Sequence, residues 1–330
     1  MIRNGVGTPA RTIVLNKKGI TISSNGNVIF DAKGGNFHFE VTGDNVLIEK
    51  ITFRNFNFTG NGGAIQWIGN NGTLRNCNFI NNTATNGGAV YWYGANSSVT
   101  KCIFTLNNAK GSGGALVWAM LGTNGTLTFC TFIGNTASGN GGAVYWSGAN
   151  GTLTDCDFVN NTASTDGGGL LWTSTAVNGI LTGSNFISNK ANNGAGVNWQ
   201  GANGILNYSV FNSNTANSLG GGILWSRNGP NGSLVHCTFI NNKASSNGAA
   251  IYWNIVGSIV NCSFNNSEWN KNNGIYTGNN LTIKGGKGIV DIVTQGALSG
   301  ISIVVLNNET YYYPPNSNIN FTKQNNKQKL

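Results

Sequence analysis

Three acidic residues that lie close together in the sequence, Asp155, Asp157 and Asp166, are the first place to look for chemistry. Glycoside hydrolysis uses two carboxyl groups at a defined separation, one of which acts as the general acid. Asp155 directly precedes a cysteine at a point where the chain must bend, and Asp166 precedes a Gly-Gly turn, so both have structural explanations. Only Asp157 remains as a weak catalytic candidate. We therefore predict that the protein is not an enzyme.

Histidines and cysteines are the other side chains that could react or bind metal. His38 and His236 lie far apart in sequence, and His236 stands just before a cysteine as Asp155 does, so they do not indicate a nucleophile–base pair. Neighbouring cysteines are at least 25 residues apart, unlike the C-x-x-C spacing of zinc sites. Each cysteine lies two residues before a phenylalanine: Cys77, Cys102, Cys130, Cys156, Cys237 and Cys262. Ser184 and Ser209 take this position in two further copies, which indicates a small residue in a stacked core. We predict free thiols, no metal and no cofactor.

These residues belong to a repeat that sets the fold. Tryptophans recur every 25–28 residues, at Trp67, Trp92, Trp118, Trp146, Trp172, Trp199, Trp225 and Trp253. Phenylalanines follow the same period, most regularly at Phe79, Phe104, Phe132, Phe158, Phe186, Phe211 and Phe239. A fixed period of this length is typical of solenoids, whose units stack and share one core.

Each repeat divides into Leu-x-x-Cys-x-Phe, a turn-rich crossing that ends in Gly-Gly, and a strand that ends in tryptophan. A bend before the cysteine is needed to bring leucine, cysteine and phenylalanine to the same side, and Asn76, Asp155 and Gly183 are residues that tolerate such a backbone. In the last strand, an aliphatic residue two positions before tryptophan shares its face. The pattern predicts a coil of three short parallel strands, wound right-handed.

Strand alternation predicts that the tryptophans point inward with the aliphatic residues. A tryptophan at the end of a strand has the alternative of turning outward, where stacked rings would form a platform for sugars. If the tryptophans are inward, the surface aromatics available for a ligand include Tyr91, Tyr145 and Tyr252.

An asparagine three residues after the phenylalanine recurs in seven copies. Such residues are expected to form an internal ladder that satisfies turn carbonyls and amides of adjacent coils. The members are Asn82, Asn107, Asn135, Asn161, Asn189, Asn214 and Asn242.

The repeat also predicts how the chain is organised. We expect an N-terminal cap with degenerate first coils at 1–45, regular coils at 46–277, irregular strands at 278–313 and a flexible polar tail at 314–330. The net charge of +9 comes largely from the C-terminal end, so we predict no nucleic-acid binding. No signal peptide is visible, and no apolar run is long enough to insert into a membrane.

The pairing of Phe-x-x-Asn with Gly-Gly-Ala and an aliphatic residue, as at Phe79–Asn82 and Gly87–Val90, resembles the repeats of chlamydial polymorphic outer-membrane proteins. The Tyr-Trp ending and the richness in asparagine and threonine are similar to adhesin-like surface proteins of methanogenic archaea. The resemblance implies an all-β, right-handed, single-stranded parallel β-helix (a pectin-lyase-like solenoid) of about eight regular coils with capping coils, displayed on a cell surface. Phe53 and Phe264 depart from the pattern because they lack the asparagine.

We therefore predict a non-enzymatic, adhesin-like module that is extracellular or on the cell surface and binds glycans or surface proteins. One alternative is a polysaccharide lyase or hydrolase on the same scaffold, and another is a purely structural spacer. The sequence does not identify the ligand, the means of export or the oligomeric state.

Overall fold

The computed structural model describes residues 11–265 except Arg227 and Val256, together with strand segments between residues 275 and 313. The described residues form a right-handed parallel β-solenoid. The predicted fold class is therefore confirmed. The predicted polar tail at 314–330 lies outside the described residues. No helix in the described part of the chain is long and apolar enough to span a membrane.

The first of three long sheets, which we call the tryptophan sheet, has twelve parallel strands. In its regular part each strand runs from an aliphatic residue to a tryptophan, and neighbouring strands pair so that tryptophan lies opposite tryptophan. Its strands are Arg11–Leu15, Phe37–Val41, Ile65–Trp67, Val90–Trp92, Leu116–Trp118, Val144–Trp146, Leu170–Trp172, Val197–Trp199, Ile223–Trp225, Ile251–Trp253, Ile275–Thr277 and Ile292–Thr294.

The second sheet, the leucine–phenylalanine sheet, has eighteen strands. Near both ends of the solenoid, one long strand forms the whole of this side of a coil. In the coils between them, a bend divides the same segment into a leucine strand and a phenylalanine strand. Its strands are Thr21–Asp31, Leu47–Arg54, Thr73–Arg75, Asn78–Ile80, Ser98–Thr100, Ile103–Thr105, Thr126–Thr128, Thr131–Ile133, Thr152–Thr154, Asp157–Val159, Ile180–Thr182, Asn185–Ile187, Ile205–Asn207, Val210–Asn212, Gly232–Val235, Thr238–Ile240, Gly257–Asn265 and Leu281–Ile289.

The third sheet, the alanine sheet, corrects the prediction of three strands per coil. The segment after the ladder asparagine was expected to be a turn, but it pairs with its neighbours because successive backbones are held in register, as where the Asn108 N–H donates to the Asn82 carbonyl at 2.8 Å. A regular coil thus has four short strands in three sheets. The strands are Thr83–Ala84, Asn108–Ala109, Thr136–Ala137, Thr162–Ala163, Lys190–Ala191, Thr215–Ala216 and Lys243–Ala244. A separate antiparallel pair joins Ser302–Leu306 and Glu309–Tyr313.

Left-handed residues make the corners of each coil, including the bend expected before the cysteine. Asn76 and Asp155 have φ of 54° and 50°, and Gly183 has φ of 64°. The same corner is left-handed at Phe129 and Tyr208, with φ of 54° and 48°, although aromatic side chains disfavour this backbone. The stacking of coils therefore fixes this corner whatever residue occupies it.

The core consists of ladders of identical residues along the solenoid axis. The eight tryptophans of the repeat are fully buried, with ring centroids 4.3–5.2 Å apart. Consecutive phenylalanine rings from Phe53 to Phe264 are nearly parallel, with centroids 4.6–5.2 Å apart. The six cysteines are free and buried beside them. In each aromatic ladder, neighbouring rings are therefore separated by about the same distance as neighbouring strands, about 4.8 Å.

The ladder asparagines lie inside the solenoid and bond to one another. For example, Asn107 Nδ2 donates to the Phe79 carbonyl and to Asn135 Oδ1, both at 3.0 Å. The Asn107 N–H donates to the same Asn135 Oδ1 at 2.9 Å. This pattern recurs along the ladder, so buried polar side chains and backbone amides satisfy each other.

Candidate functional site

The three clustered acidic residues do not form one site, because the coil places them on different surfaces. Asp155 is exposed at the left-handed corner before the cysteine. Asp157 lies on the outer face of the leucine–phenylalanine sheet, where its Oδ1 accepts a hydrogen bond from Asn185 Nδ2 at 2.8 Å. Asp166 lies at another corner, just before the tryptophan sheet. The weak catalytic candidate Asp157 therefore has an amide partner, and its neighbours in the adjacent strands are Thr131 and Asn185.

The histidines and cysteines have structural surroundings. His38 is buried, stacks on Phe58 with ring centroids 3.7 Å apart, and its Nδ1 lies 3.1 Å from the Gly62 carbonyl. Burial lowers the pKa of His38. His236 stacks on the exposed ring of Tyr208 at another corner. Among the residues that the structure describes, no three acidic, histidine or cysteine side chains are arranged to hold a metal ion.

The indole N–H groups explain how loops of two lengths fit the same coil. In three coils with a short loop the tryptophan N–H donates to a carbonyl two residues later, as Trp146 does to Gly148 at 2.9 Å, whereas the indole nitrogens of Trp67 and Trp253 have no partner among the described residues. In coils with a long loop it donates to a carbonyl four residues later, as Trp172 does to Ala176 at 2.7 Å. The two extra residues are thus accommodated outside the solenoid, and the core is unchanged.

From Trp92 to Trp253 short and long loops alternate along the axis, which gives this part of the tryptophan sheet a period of two coils; the loop after Trp67 is short as well. Long loops follow Trp118, Trp172 and Trp225. The outward residues of these three strands are aliphatic and buried: Val117, Leu171 and Leu224. Three of the intervening short-loop strands carry an outward tyrosine that is partly exposed: Tyr91, Tyr145 and Tyr252. The three tyrosines singled out from sequence therefore lie in one row, in which Gln66 and Asn198 occupy the two other short-loop strands.

A groove of about 450 Å³ runs over this outer face. Its floor is formed by the outward row from Tyr91 through Val117 and Tyr145 to Leu171. Because the strands are parallel and in register, Tyr91 and Tyr145 lie about 9.6 Å apart along the axis. Aromatic and aliphatic side chains on the floor make this groove suitable for the apolar face of a ligand.

Polar side chains line the two sides of the groove. Asn140 and Asp166 lie on one side, at the corner that precedes the strands. Ser174, Thr175 and Gln200 lie on the other side, where the long loop after Trp172 contributes two of them. The polar groups provide hydrogen-bond donors and acceptors around an apolar floor, which is the usual composition of a small-molecule or sugar site.

Electrostatically the groove is almost neutral. Asp166 is the one charged residue among those described around it, and none is a lysine or arginine. Burial, followed by a hydrogen bond with Tyr93, raises the pKa of Tyr91. Its phenol is therefore uncharged at physiological pH and available as a neutral stacking surface.

A larger cavity, of about 530 Å³, lies at a corner near the amino-terminal end, between Lys33, Asn55 and Asn81. Asn81 Nδ2 donates to Asn55 Oδ1 at 2.9 Å, and Asn55 Nδ2 donates to Asp31 Oδ1 at 3.0 Å. Its polar groups thus satisfy one another, and its one aromatic residue, Phe56, is buried. We therefore take the groove on the tryptophan sheet as the functional site.

Comparison with known proteins places this geometry in a family. A family model described as "Right handed beta helix region" matches residues 10–177, half of the chain. The chain belongs to the right-handed β-helix family. A second model, the Chlamydia polymorphic membrane protein repeat, matches residues 236–252 of this β-helix. No curated protein matches the chain.

Among solved structures, the β-helix is similar to one described as "Crystal Structure of the periplasmic alginate epimerase AlgG". The two share 8% sequence identity, with a TM-score of 0.39 over 83% of this chain and 84% of the other. At this level of similarity, no activity is transferred to the present chain.

Sequence reasoning identified the tyrosines of the groove but missed the residues of its sides. Asp166 was explained as a turn residue, and Asn140 and Gln200 were not singled out as binding residues. The signal that could have found them is the alternation of loop length, because it marks the face on which every second coil carries two extra residues.

Proposed function

We propose that this β-helix is a non-enzymatic, adhesin-like module of a cell surface that binds glycans along the groove of the tryptophan sheet. The observation that carries the proposal is the pair of partly exposed tyrosines, Tyr91 and Tyr145, on the floor of a 450 Å³ groove with polar sides. Rigid aromatic rings offer a large apolar surface at little entropic cost, and sugars present an apolar face that fits them.

Binding without cleavage is supported by the distribution of acidic groups. Hydrolysis by the common glycosidase mechanisms requires two carboxyl groups that flank the scissile bond. Asp166 is the one acid among the described residues that line the groove, while Asp157 faces outward from a different sheet. The groove can therefore hold a sugar chain but lacks the paired acids of that chemistry in the part of the chain that the structure describes.

A location on the cell surface is supported by the match of residues 236–252 to a repeat of polymorphic membrane proteins. The solenoid itself supplies a stiff scaffold, because every coil is hydrogen-bonded to the next along three sheets. A protein ligand on the cell surface would use the same exposed face, and the test below separates it from a glycan.

The proposal is tested by incubating the purified chain with a panel of cell-wall and host polysaccharides and scoring both retained glycan and released oligosaccharide. We expect retention without release, and about fivefold weaker retention for Tyr145→Ala, because ring contacts of this kind contribute roughly 1 kcal/mol each. Tyr208→Asn is the matched control, because Tyr208 is 61% exposed but lies on another surface, at a corner that already accepts asparagine in other coils.

Two outcomes would contradict the proposal. Release of oligosaccharide that is abolished by Asp157→Asn or Asp166→Asn would make the protein a polysaccharide-active enzyme. Neither retention nor release across the panel would leave a protein-binding module or a structural spacer as the remaining readings.

A further inference from the structure

The single carboxylate of the groove has room for a further partner. Asn193 Nδ2 donates to Asp166 Oδ1 at 3.0 Å, and Asp166 Oδ2 accepts no hydrogen bond from the described residues. The described ion pairs lie near the amino-terminal end, so no cation among the described residues forms an ion pair with this group. A partly exposed, unpaired carboxylate beside an aromatic floor favours a ligand with a positive charge.

The position of Asp166 relative to the floor specifies where that charge must be. Asp166 belongs to the same coil as Leu171, which pairs with Tyr145 of the preceding coil. The carboxylate is therefore about one rung, or ~4.8 Å, along the axis from Tyr145. Because both residues line the same groove, a sugar ring stacked on Tyr145 can direct a substituent toward Asp166.

The spacing of the tyrosines indicates a linear polymer. Tyr91 and Tyr145 are two coils apart, about 9.6 Å, which is close to the length of an extended disaccharide. A chain that lies along the solenoid axis would therefore place every second sugar on a tyrosine, while the intervening sugars lie over Val117 and Leu171.

From these observations we propose that the groove selects a linear glycan of amino sugars, with one ammonium group paired to Asp166, and disfavours polyuronates. This inference rests on the proposed glycan binding at the same site. The chain as a whole has a net charge of +9, which repels polycations and attracts polyanions. A preference for an ammonium-bearing glycan would therefore come from the groove and not from the overall charge.

The test compares three soluble hexasaccharides, made of glucosamine, N-acetylglucosamine or galacturonate, by calorimetry at one mildly acidic pH, about 5.5. We expect the wild-type chain to bind the glucosamine hexamer about fivefold more tightly than the N-acetylated one. Asp166→Asn should remove this preference. The substitution keeps an acceptor for Asn193. An asparagine is compatible with this corner, because the equivalent residue of the preceding coil is Asn140.

Asp157→Asn is the matched control, because it removes the same charge from the same coil. Asp157 also accepts a hydrogen bond from an asparagine of the next coil, Asn185, but it faces outward from the leucine–phenylalanine sheet. This variant should keep the preference of the wild type. A further variant, Tyr145→Ala, tests the floor and should weaken binding of the glucosamine and N-acetylglucosamine hexamers alike.

The outcomes separate this inference from the proposed function. If the glucosamine and N-acetylglucosamine hexamers bind equally, or if Asp157→Asn lowers the preference as much as Asp166→Asn, the inference is wrong while glycan binding stands. If the galacturonate hexamer binds most tightly, the inference is also overturned. If no hexamer binds, the inference fails, and the polysaccharide panel decides independently whether the proposed function survives.

Discussion

Removing one side chain from the middle of the internal asparagine ladder should destabilise the whole solenoid. Asn135 Nδ2 donates to the Phe104 carbonyl and to Asn161 Oδ1, both at 3.0 Å. Its Oδ1 accepts from the Asn107 N–H at 2.9 Å and from Asn107 Nδ2 at 3.0 Å. Asn135→Ala removes these four hydrogen bonds and leaves the buried Asn107 N–H without this acceptor. With about 1 kcal/mol for each bond, the expected loss in the free energy of unfolding is about 3–5 kcal/mol.

The measurement is urea-induced unfolding followed by circular dichroism. The control is Asn150→Gly, in a second asparagine ladder that is exposed at a corner of the coil. Asn150 Nδ2 donates to Asn124 Oδ1 at 3.1 Å, and its own Oδ1 accepts from Asn178 Nδ2 at 3.0 Å. Glycine suits its φ of 55°, and water replaces the lost bonds, so the control should lose less than about 1 kcal/mol. A loss for Asn135→Ala no larger than that of the control would refute the reasoning that burial makes this ladder important.

Three further substitutions test the core, a close contact and an ion pair. Cys130→Ser should lower the free energy of unfolding by less than about 1 kcal/mol in chemical denaturation, because serine already occupies this position in two coils. Cys130 itself should react with a thiol reagent only on unfolding, since burial raises its pKa. Fast labelling of the folded chain would contradict the buried position of this thiol. Gly151→Ala should clearly lower the melting temperature, because a Cβ there would lie 2.5 Å from the indole nitrogen of Trp146. Gly26→Ala should not lower it, because a Cβ there would have no atom within 4 Å. Equal effects of the two substitutions would contradict the close contact at Gly151. Hydrogen bonds from Arg75 hold the pKa of Glu49 below its usual value, so the stability that this pair adds is present above about pH 4.5 and is lost as the pH falls below it. The melting temperatures of wild type and Glu49→Gln should therefore converge in acid. A difference in melting temperature that grows in acid would contradict this pH dependence.

The architecture could be predicted because the repeat constrains the same positions many times. A single Leu-x-x-Cys-x-Phe segment would be ambiguous, but its recurrence at a fixed interval requires the units to stack. The need to bring Leu74, Cys77 and Phe79 to one side predicts a bend, and the structure places a left-handed residue, Asn76, between them. The alanine sheet was missed because a two-residue strand has no periodicity of its own. Its pairing depends on neighbouring coils, and local sequence does not contain that information.

Neighbouring coils also override local preference at the corners. Lys101, Leu106 and Phe129 have φ of 52–55°, which none of these side chains favours. Propensity alone would not place a left-handed residue at any of them. They adopt this backbone because the coils above and below fix the position of the turn, and the ladders of hydrogen bonds on both sides outweigh a local cost of order 1 kcal/mol.

The groove was only partly predictable because residues far apart in a coil meet across its surface. Tyr91 and Tyr145 could be found from strand alternation, which places them opposite the buried face. Asp166 was assigned to a turn. The structure agrees, since the Asp166 carbonyl at this corner accepts a hydrogen bond from the Gly141 N–H at 2.8 Å. What sequence could not show is that the same corner borders the outer face of the tryptophan sheet.

The two-coil period shows which outward residues the fold requires and which it does not. Two long loops in adjacent coils would be only about 4.8 Å apart, so alternation with short loops relieves crowding. The spacing of the tryptophan rings follows the same alternation, with centroids 5.1 Å apart from Trp146 to Trp172 and 4.6 Å apart from Trp172 to Trp199.

Beside a long loop the outward residue is buried, which explains the aliphatic Leu171. In the short-loop strands the outward residue is polar or a tyrosine, partly exposed at Tyr145 but buried at Asn198, so packing does not require an aliphatic residue there. A tyrosine at Tyr145 and its equivalents is thus not required by the packing of the long loops, so Tyr145→Ala tests the proposed glycan contact without disturbing that packing.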